Sequence, residues 1–319
     1  KKFDKEIVLN SIKLKWNLVV NMSSSTATNA LDPFVTAVLY SKMEATTISY
    51  AIDVIACRLT VGCSVRSTST ASRPDWCGEN NTSSKPTSGS YSLAAFSTCT
   101  LTSQIIVTSG SVLSIVGEKR DSIPELAVVT QTQDADNDEH RLFWVESGEL
   151  SLAWVRLTGG RVHQTGTYTI TFSSIYSGGL VYVGSPAGSS ALLDATQGVV
   201  FEDGHATMGG AIALNGPNSI VKTGEGCIFR GNYASSQGGA QYVTSGISTA
   251  VDTLFDNNTA SFGGGGFCAH TATATFTRCN LTKNSGVHNG GAFQCDGGTS
   301  ISIIDSHIFD NTAGTGGVI

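Results

Sequence analysis

Charge is scarce in this 319-residue chain. Only 14% of its residues are Asp, Glu, Lys or Arg, against about 25% in an ordinary soluble domain, so another kind of side chain must cover the surface. Lys and Arg are scattered after the first 15 residues and the formal charge is -6, which leaves no electrostatic footprint for nucleic acid as a partner. No run approaches 18 consecutive apolar residues, so no transmembrane segment is expected. Lys1 to Asp4 supply neither a starting Met nor an apolar signal core, and the expectation is a chain already processed or cut from something longer. No Cys-x-x-Cys pair occurs, which removes zinc ribbons and redox motifs. The six His show no two-His zinc spacing, and neither a Gly-x-Ser-x-Gly nor a phosphate-binding Gly loop is found. No metal and no cofactor is expected.

Ser and Thr fill the polar role at about a quarter of the residues, beside 36 Gly. That composition suits extended, turn-rich structure rather than helix. Eight cysteines fall as Cys57, Cys63, Cys77 and Cys99, then Cys227, Cys268, Cys279 and Cys295. An even number in each group agrees with disulfides in an oxidising compartment. Asn-x-Ser/Thr acceptors at Asn21, Asn80, Asn81, Asn257 and Asn280 agree with secretion, although about four would arise by chance at this composition.

Self-similarity is the strongest signal. Gly pairs begin at Gly178, Gly209, Gly238, Gly263, Gly290 and Gly316, spaced 31, 29, 25, 27 and 26 residues apart. Ahead of the later pairs lie Phe229-Arg-Gly-Asn232, Phe255-Asp-Asn-Asn258 and Leu281-Thr-Lys-Asn284; in the last copy Ile308 takes the apolar slot before Asn311. Apolar residues alternate within each unit, as in Ser300-Ile301-Ser302-Ile303, with no 3.6-residue period. Helical pairs are excluded, and the Leu offsets of leucine-rich repeats are missing. What remains is an all-β, right-handed parallel β-helix of about 26-residue coils, each of three short strands stacked about 4.8 Å from the next.

Residue types follow from that geometry. The paired glycines Gly209, Gly210, Gly238, Gly239, Gly290, Gly291, Gly316 and Gly317 permit positive φ and leave no Cβ against the coil above. Inward Asn232, Asn258, Asn284 and Asn311 should form a hydrogen-bonded ladder, with Phe229, Phe255 and Leu281 stacked beside it. The same register puts Cys268 and Cys295 at equivalent places in successive coils, and a disulfide between them is expected. Cys227 and Cys279 share a position two coils apart, too far to pair.

The alternation of Gly-Gly-Ala plus an aliphatic residue with Phe-x-x-Asn resembles the repeat of the polymorphic outer-membrane proteins, adhesins of the chlamydial type, and of related surface proteins of unicellular eukaryotes. The resemblance is specific over residues 200–319, with weaker copies at Arg141–Gly160 and Ile105–Val116. It implies a β-helical passenger domain, adhesin or stalk at the cell surface. Two departures stand out: no terminal membrane barrel follows, and the chain stops inside a repeat.

Organisation is expected as a β-rich capping or docking region over residues 1–100 and a β-helix over 101–319, some eight coils and roughly 40 Å long. In the first region Ile12–Leu18 alternates as a strand, and a loop from Ser64 to Ser90, with Cys63 and Cys77 in the insertion, is expected to be stapled by a disulfide whose connectivity stays open. The functional expectation is an extracellular structural protein: a rigid stalk, an adhesin or a subunit of a surface filament or appendage, whose partners are copies of itself or related β-helix subunits, and glycans. The alternatives are a carbohydrate-active β-helix enzyme and a glycan-binding module. For the enzyme the only compact acid and His cluster in the repeats is Glu202, Asp203 and His205, read as a solvated turn. For the glycan-binding module Tyr182 and Tyr242, each following a Gly pair, would line the outer face. Asp134-Ala-Asp136-Asn-Asp138-Glu139 lacks the Gly and the twelfth-position Glu of a calcium loop and reads as a solvated acidic turn.

Overall fold

A computed structural model of the chain describes the backbone of residues 2–9 and 12–19, residues 74, 76 and 77, and residues 85–120, 123–131, 140–162, 174–184 and 190–314. Gly316, Gly317, Asn21, Asn80, Asn81, Cys57, Cys63 and the acidic turn at 134–139 lie outside the described residues. The chain divides into two compact units, Lys1–Val65 and Arg66–Ile319. In the first, Lys2–Leu9 pairs antiparallel with Ile12–Val19 as a hairpin, so the alternating Ile12 stretch is a strand.

The second unit is a parallel β-solenoid of about seven turns, about 28 residues per coil. Every strand pairing described in it is parallel, each strand bonding to its counterpart one coil away, as short alternating segments separated by Gly turns require. Its helical content among the described residues is two 3-10 turns, Ile123–Glu125 and Ser174–Tyr176, and no helix there is long and apolar enough to cross a membrane.

Each regular coil carries four strand positions, one more than the alternation suggested. One face stacks eight strands, from Thr98–Leu101 through Val200–Glu202, Ile228–Arg230, Leu254–Asp256 and Asn280–Thr282 to His307–Phe309. A second face of six runs from Arg161–Val162 to Thr312–Ala313. The remaining two tracks merge into one 13-stranded sheet because Gln241–Val251 and Phe267–Thr277 run straight through the corner that other coils break. The ladder starts at Gly89–Leu93, which pairs with Val112–Gly117, so the solenoid is under way before the boundary expected at residue 100.

Coil length is regular only downstream. On the eight-stranded face, partners Val200, Ile228, Leu254, Asn280 and His307 follow at 28, 26, 26 and 27 residues, whereas Arg156 to Val200 takes 44. The long coil contains the undescribed stretches 163–173 and 185–189. Insertions at corners leave the stacked strands in register because loop length costs little once the ends are held.

Candidate functional site

The repeated residues meet inside the solenoid. Along the eight-stranded face, Cys99, Val129, Leu157, Phe201, Phe229, Phe255, Leu281 and Ile308 occupy one inward column. Phe201, Phe229 and Phe255 stack face to face, with centroids 4.6 and 4.7 Å apart and planes within 8°. The coil spacing imposes that separation on any column of identical rings. Burying each ring fully contributes on the order of 2–3 kcal/mol.

Three residues after the column the chain turns, and Asn232, Asn258, Asn284 and Asn311 point inward. Each carboxamide reaches the next: Asn232 Nδ2 donates to Asn258 Oδ1, Asn258 Nδ2 to Asn284 Oδ1 and Asn284 Nδ2 to Asn311 Oδ1, each at 2.9 Å. The same Oδ1 atoms accept from the backbone N–H of Asn232, Asn258 and Asn284 at 3.1, 3.1 and 2.8 Å. The second Nδ2 hydrogen goes to the carbonyl of Phe201, Phe229, Phe255 or Leu281, one coil back. A buried amide is thereby fully satisfied inside an apolar core, which is the condition for keeping it there. Gly204 ends the ladder by donating its N–H to Asn232 Oδ1.

Sequence reading missed Phe201. Its segment, Phe201-Glu-Asp-Gly204, keeps the spacing but has Gly where the others have Asn, and that spacing was the available signal. The residue before each ladder position adopts left-handed φ: Asp203, Gly231, Asn257, Lys283 and Asp310, between 53 and 64°. Four of those five are not glycine, so the coil geometry overrides a cost of about 1–2 kcal/mol at each.

The Gly pairs divide their labour. Gly209, Gly238 and Gly290 have φ of 65, 68 and 45°, while a Cβ on Gly210, Gly239 or Gly291 would run into the backbone of the coil above. In the run of four glycines the left-handed position is Gly264, not Gly263, so the pair is Gly264-Gly265. That one-residue correction overturns the Cys268–Cys295 disulfide. Phe267 stacks on Phe293, which sets Cys268 opposite Gln294 and Ala269 opposite Cys295. Successive strand residues face opposite ways; Cys268 is buried with Met208 and Tyr242, Cys295 is exposed, and both are free thiols. Cys77 bonds to Cys99, with Cα atoms 4.7 Å apart, a connectivity the sequence left open. Cys227 and Cys279 are buried free thiols two coils apart with Thr253 between them, their Sγ atoms donating to carbonyls of Ala195 and Ala250.

The acid cluster comes apart in space. Glu202 lies between two guanidinium groups on neighbouring coils, with Arg230 Nε at 2.9 Å and Arg156 Nη1 at 3.4 Å, and its side chain is only 15% exposed. It is therefore an ion-paired rung of the outer face, not part of a solvated turn. Asp203 is an exposed turn residue whose carbonyl lies 3.1 Å from His205 Nδ1. Asp252 repeats the pairing two coils on, bidentate to Arg278 at 2.7 and 2.6 Å, and the guanidinium hydrogen bonds hold its carboxyl below the usual carboxylate range. A shallow depression of about 340 Å³ beside that pair is lined by Cys227, Ile228, Thr253 and Leu254. Among the described residues no group of three or more His, Cys, Asp or Glu is arranged to hold a metal.

Tyr182 and Tyr242 do not line an outer face. Tyr182 is fully buried, in edge-to-face contact with Trp144, its ring 5.1 Å from the Arg141 guanidinium; Tyr242 is buried against Met208 and Cys268. Burial pushes both phenols up, and it lowers Arg141 to about 10. The acceptors Asn257 and Asn280 are exposed. No family model, no curated protein and no solved structure matches the chain.

Proposed function

We propose that the chain is an extracellular structural protein, a rigid β-helical stalk or the subunit of a surface filament, of the kind its repeat resembles in the polymorphic outer-membrane proteins. The observation that carries this reading is where the repeated residues are spent. Asn, Phe and Gly at each coil bind the next coil rather than line a cleft, and the outer acids Glu202 and Asp252 are engaged by arginines of neighbouring coils. Such an array gains stiffness from every added coil. The Cys77–Cys99 bridge and the exposed acceptors Asn257 and Asn280 support an oxidising, glycan-adding export route. The partners on this reading are copies of the chain or related solenoids meeting it end to end or side by side.

Electron microscopy of the native, unreduced protein tests it. Periodic fibres containing this chain are the expected result. Discrete rods at every concentration would remove the filament form and leave a single stalk. Turnover of a polysaccharide panel by the purified protein would overturn the structural reading altogether.

A further inference from the structure

The six-stranded face differs from the others in a way its role as a wall does not explain. Its first strand carries exposed Arg161 in register with His205, but the five strands that follow, from His205–Met208 and Tyr233–Gln237 through residues 259–263, 285–289 and 312–314, are 22 residues with no Asp, Glu, Lys or Arg, where the chain's 14% would place about three. The neighbouring eight-stranded face carries Arg156, Glu202, Arg230 and Asp256. On this charge-free strip large apolar groups are nevertheless exposed: Tyr233 and Phe262 at 38% each and Val287 at 52%.

Those rings are held in place. Tyr233 lies 5.8 Å from the His205 imidazole of the preceding coil, and its hydroxyl is 3.1 Å from Ser261 Oγ of the next. Phe262 lies 5.4 Å from His288, tilted by 32°. Between and beyond them stand half-buried or exposed Thr259, Ser261, Ser285 and Thr312. Rings fixed before a ligand arrives lose little freedom on binding, which raises affinity for a given contact area.

We propose that this face is a binding platform for a neutral oligosaccharide lying along the solenoid axis, with Tyr233 and Phe262 stacking on sugar rings and the Ser and Thr hydroxyls meeting sugar hydroxyls. A sugar ring offers an apolar C–H face rimmed by hydroxyls, the pattern this strip presents in complement. From His205 onward the strip has no Lys or Arg, the usual means of holding an acidic glycan or a nucleic acid, and Arg161 stands alone one coil before it. The apolar groups are separated by hydroxyls rather than gathered into the continuous core of a protein interface. The assignment goes beyond the assembly reading: end-to-end stacking leaves this lateral face free, whereas side-by-side packing through it would compete with sugar, and the sedimentation arm of the test separates the two.

The test is titration calorimetry of the intact protein with hexasaccharides of β-1,4-linked glucose, β-1,4-linked N-acetylglucosamine and mannose, beside a galacturonate oligomer. At least one neutral hexasaccharide should bind, and Tyr233→Ala and Phe262→Ala should each weaken it by about fivefold or more. Tyr233→Phe, which keeps the ring, should stay within about twofold, as should Val112→Ala and Ile304→Ala, which remove exposed apolar groups on the 13-stranded sheet, outside this face. Circular dichroism of each variant checks folding. The proposal is overturned if no neutral hexasaccharide binds, if the galacturonate oligomer binds best, or if both alanine variants bind like the parent. It is equally overturned if sedimentation shows the wild-type chain self-associating through Tyr233 and Phe262 with no sugar bound.

Discussion

Asn258 makes four hydrogen bonds with its carboxamide, two given and two accepted, and all four cross to other coils. Replacing it with Ala removes them together and strands the Asn232 N–H and Nδ2 and the Phe229 carbonyl in a dry core. The expected loss is about 3 kcal/mol or more, read as a fall in the urea midpoint without loss of cooperativity. A change under about 0.5 kcal/mol would mean that water fills the gap and that the ladder is not what holds the coils. The thiols differ by environment in the same way. Burial pushes Cys227, Cys268 and Cys279 up, while Cys295 is exposed but still raised, by partial burial and then by Asp296, to about 11. Because the thiolate is the reactive form, native protein at pH 8 should be alkylated, among the four described free thiols, at Cys295 alone, slowly, with a rate that climbs toward pH 11. Mass mapping after iodoacetamide checks this, and equal labelling of Cys268 would contradict its burial.

Individual strands were legible in proportion to how far they repeat. Phe229-Arg-Gly-Asn232 and its copies announce both the inward column and the turn after it, since stacking gives the same residue the same job in every coil. Where a segment repeats itself internally, the phase is lost. Gly263 to Gly266 offers three equivalent pairs, and the packing of Phe267 on Phe293, a contact between residues far apart in sequence, selects Gly264-Gly265. The Cys268–Cys295 expectation failed on that single step. Alternation likewise does not say which side of a strand is the outside of the molecule: Tyr182 and Tyr242 lie outside the main core yet are buried, Tyr182 against Trp144 and Arg141 and Tyr242 against Met208, which enters a Gly turn. Tyr233 has no motif around it, and only its exposure on the charge-free strip of the six-stranded face singles it out.

For the whole molecule, nearest-neighbour stacking makes coils exchangeable. Deleting residues 254–279 joins Thr253 to Asn280 and brings Phe229 onto Leu281 and Asn232 onto Asn284, in register. That shortened chain should keep its β-sheet circular dichroism and a cooperative melt, with the midpoint lower by about 10 °C or less. Deleting residues 254–280 is one residue longer, turns Leu281 outward and takes Asn284 out of the ladder, and it should abolish the cooperative transition. Similar melts for the two deletions would refute coil-by-coil stacking. The sequence by itself determined the parallel solenoid, the coil length downstream of residue 200 and the identity of the Asn and Phe columns, because a periodic fold writes its period into the chain. Only the tertiary structure decided the number of strand positions per coil, the partner of Cys77, the pairing of Glu202 with arginines on either side and the charge-free strip that runs from His205 along the six-stranded face. Those depend on which coils become neighbours and where corners bend, and insertions such as that between Arg156 and Val200 hide both from a reading along the chain.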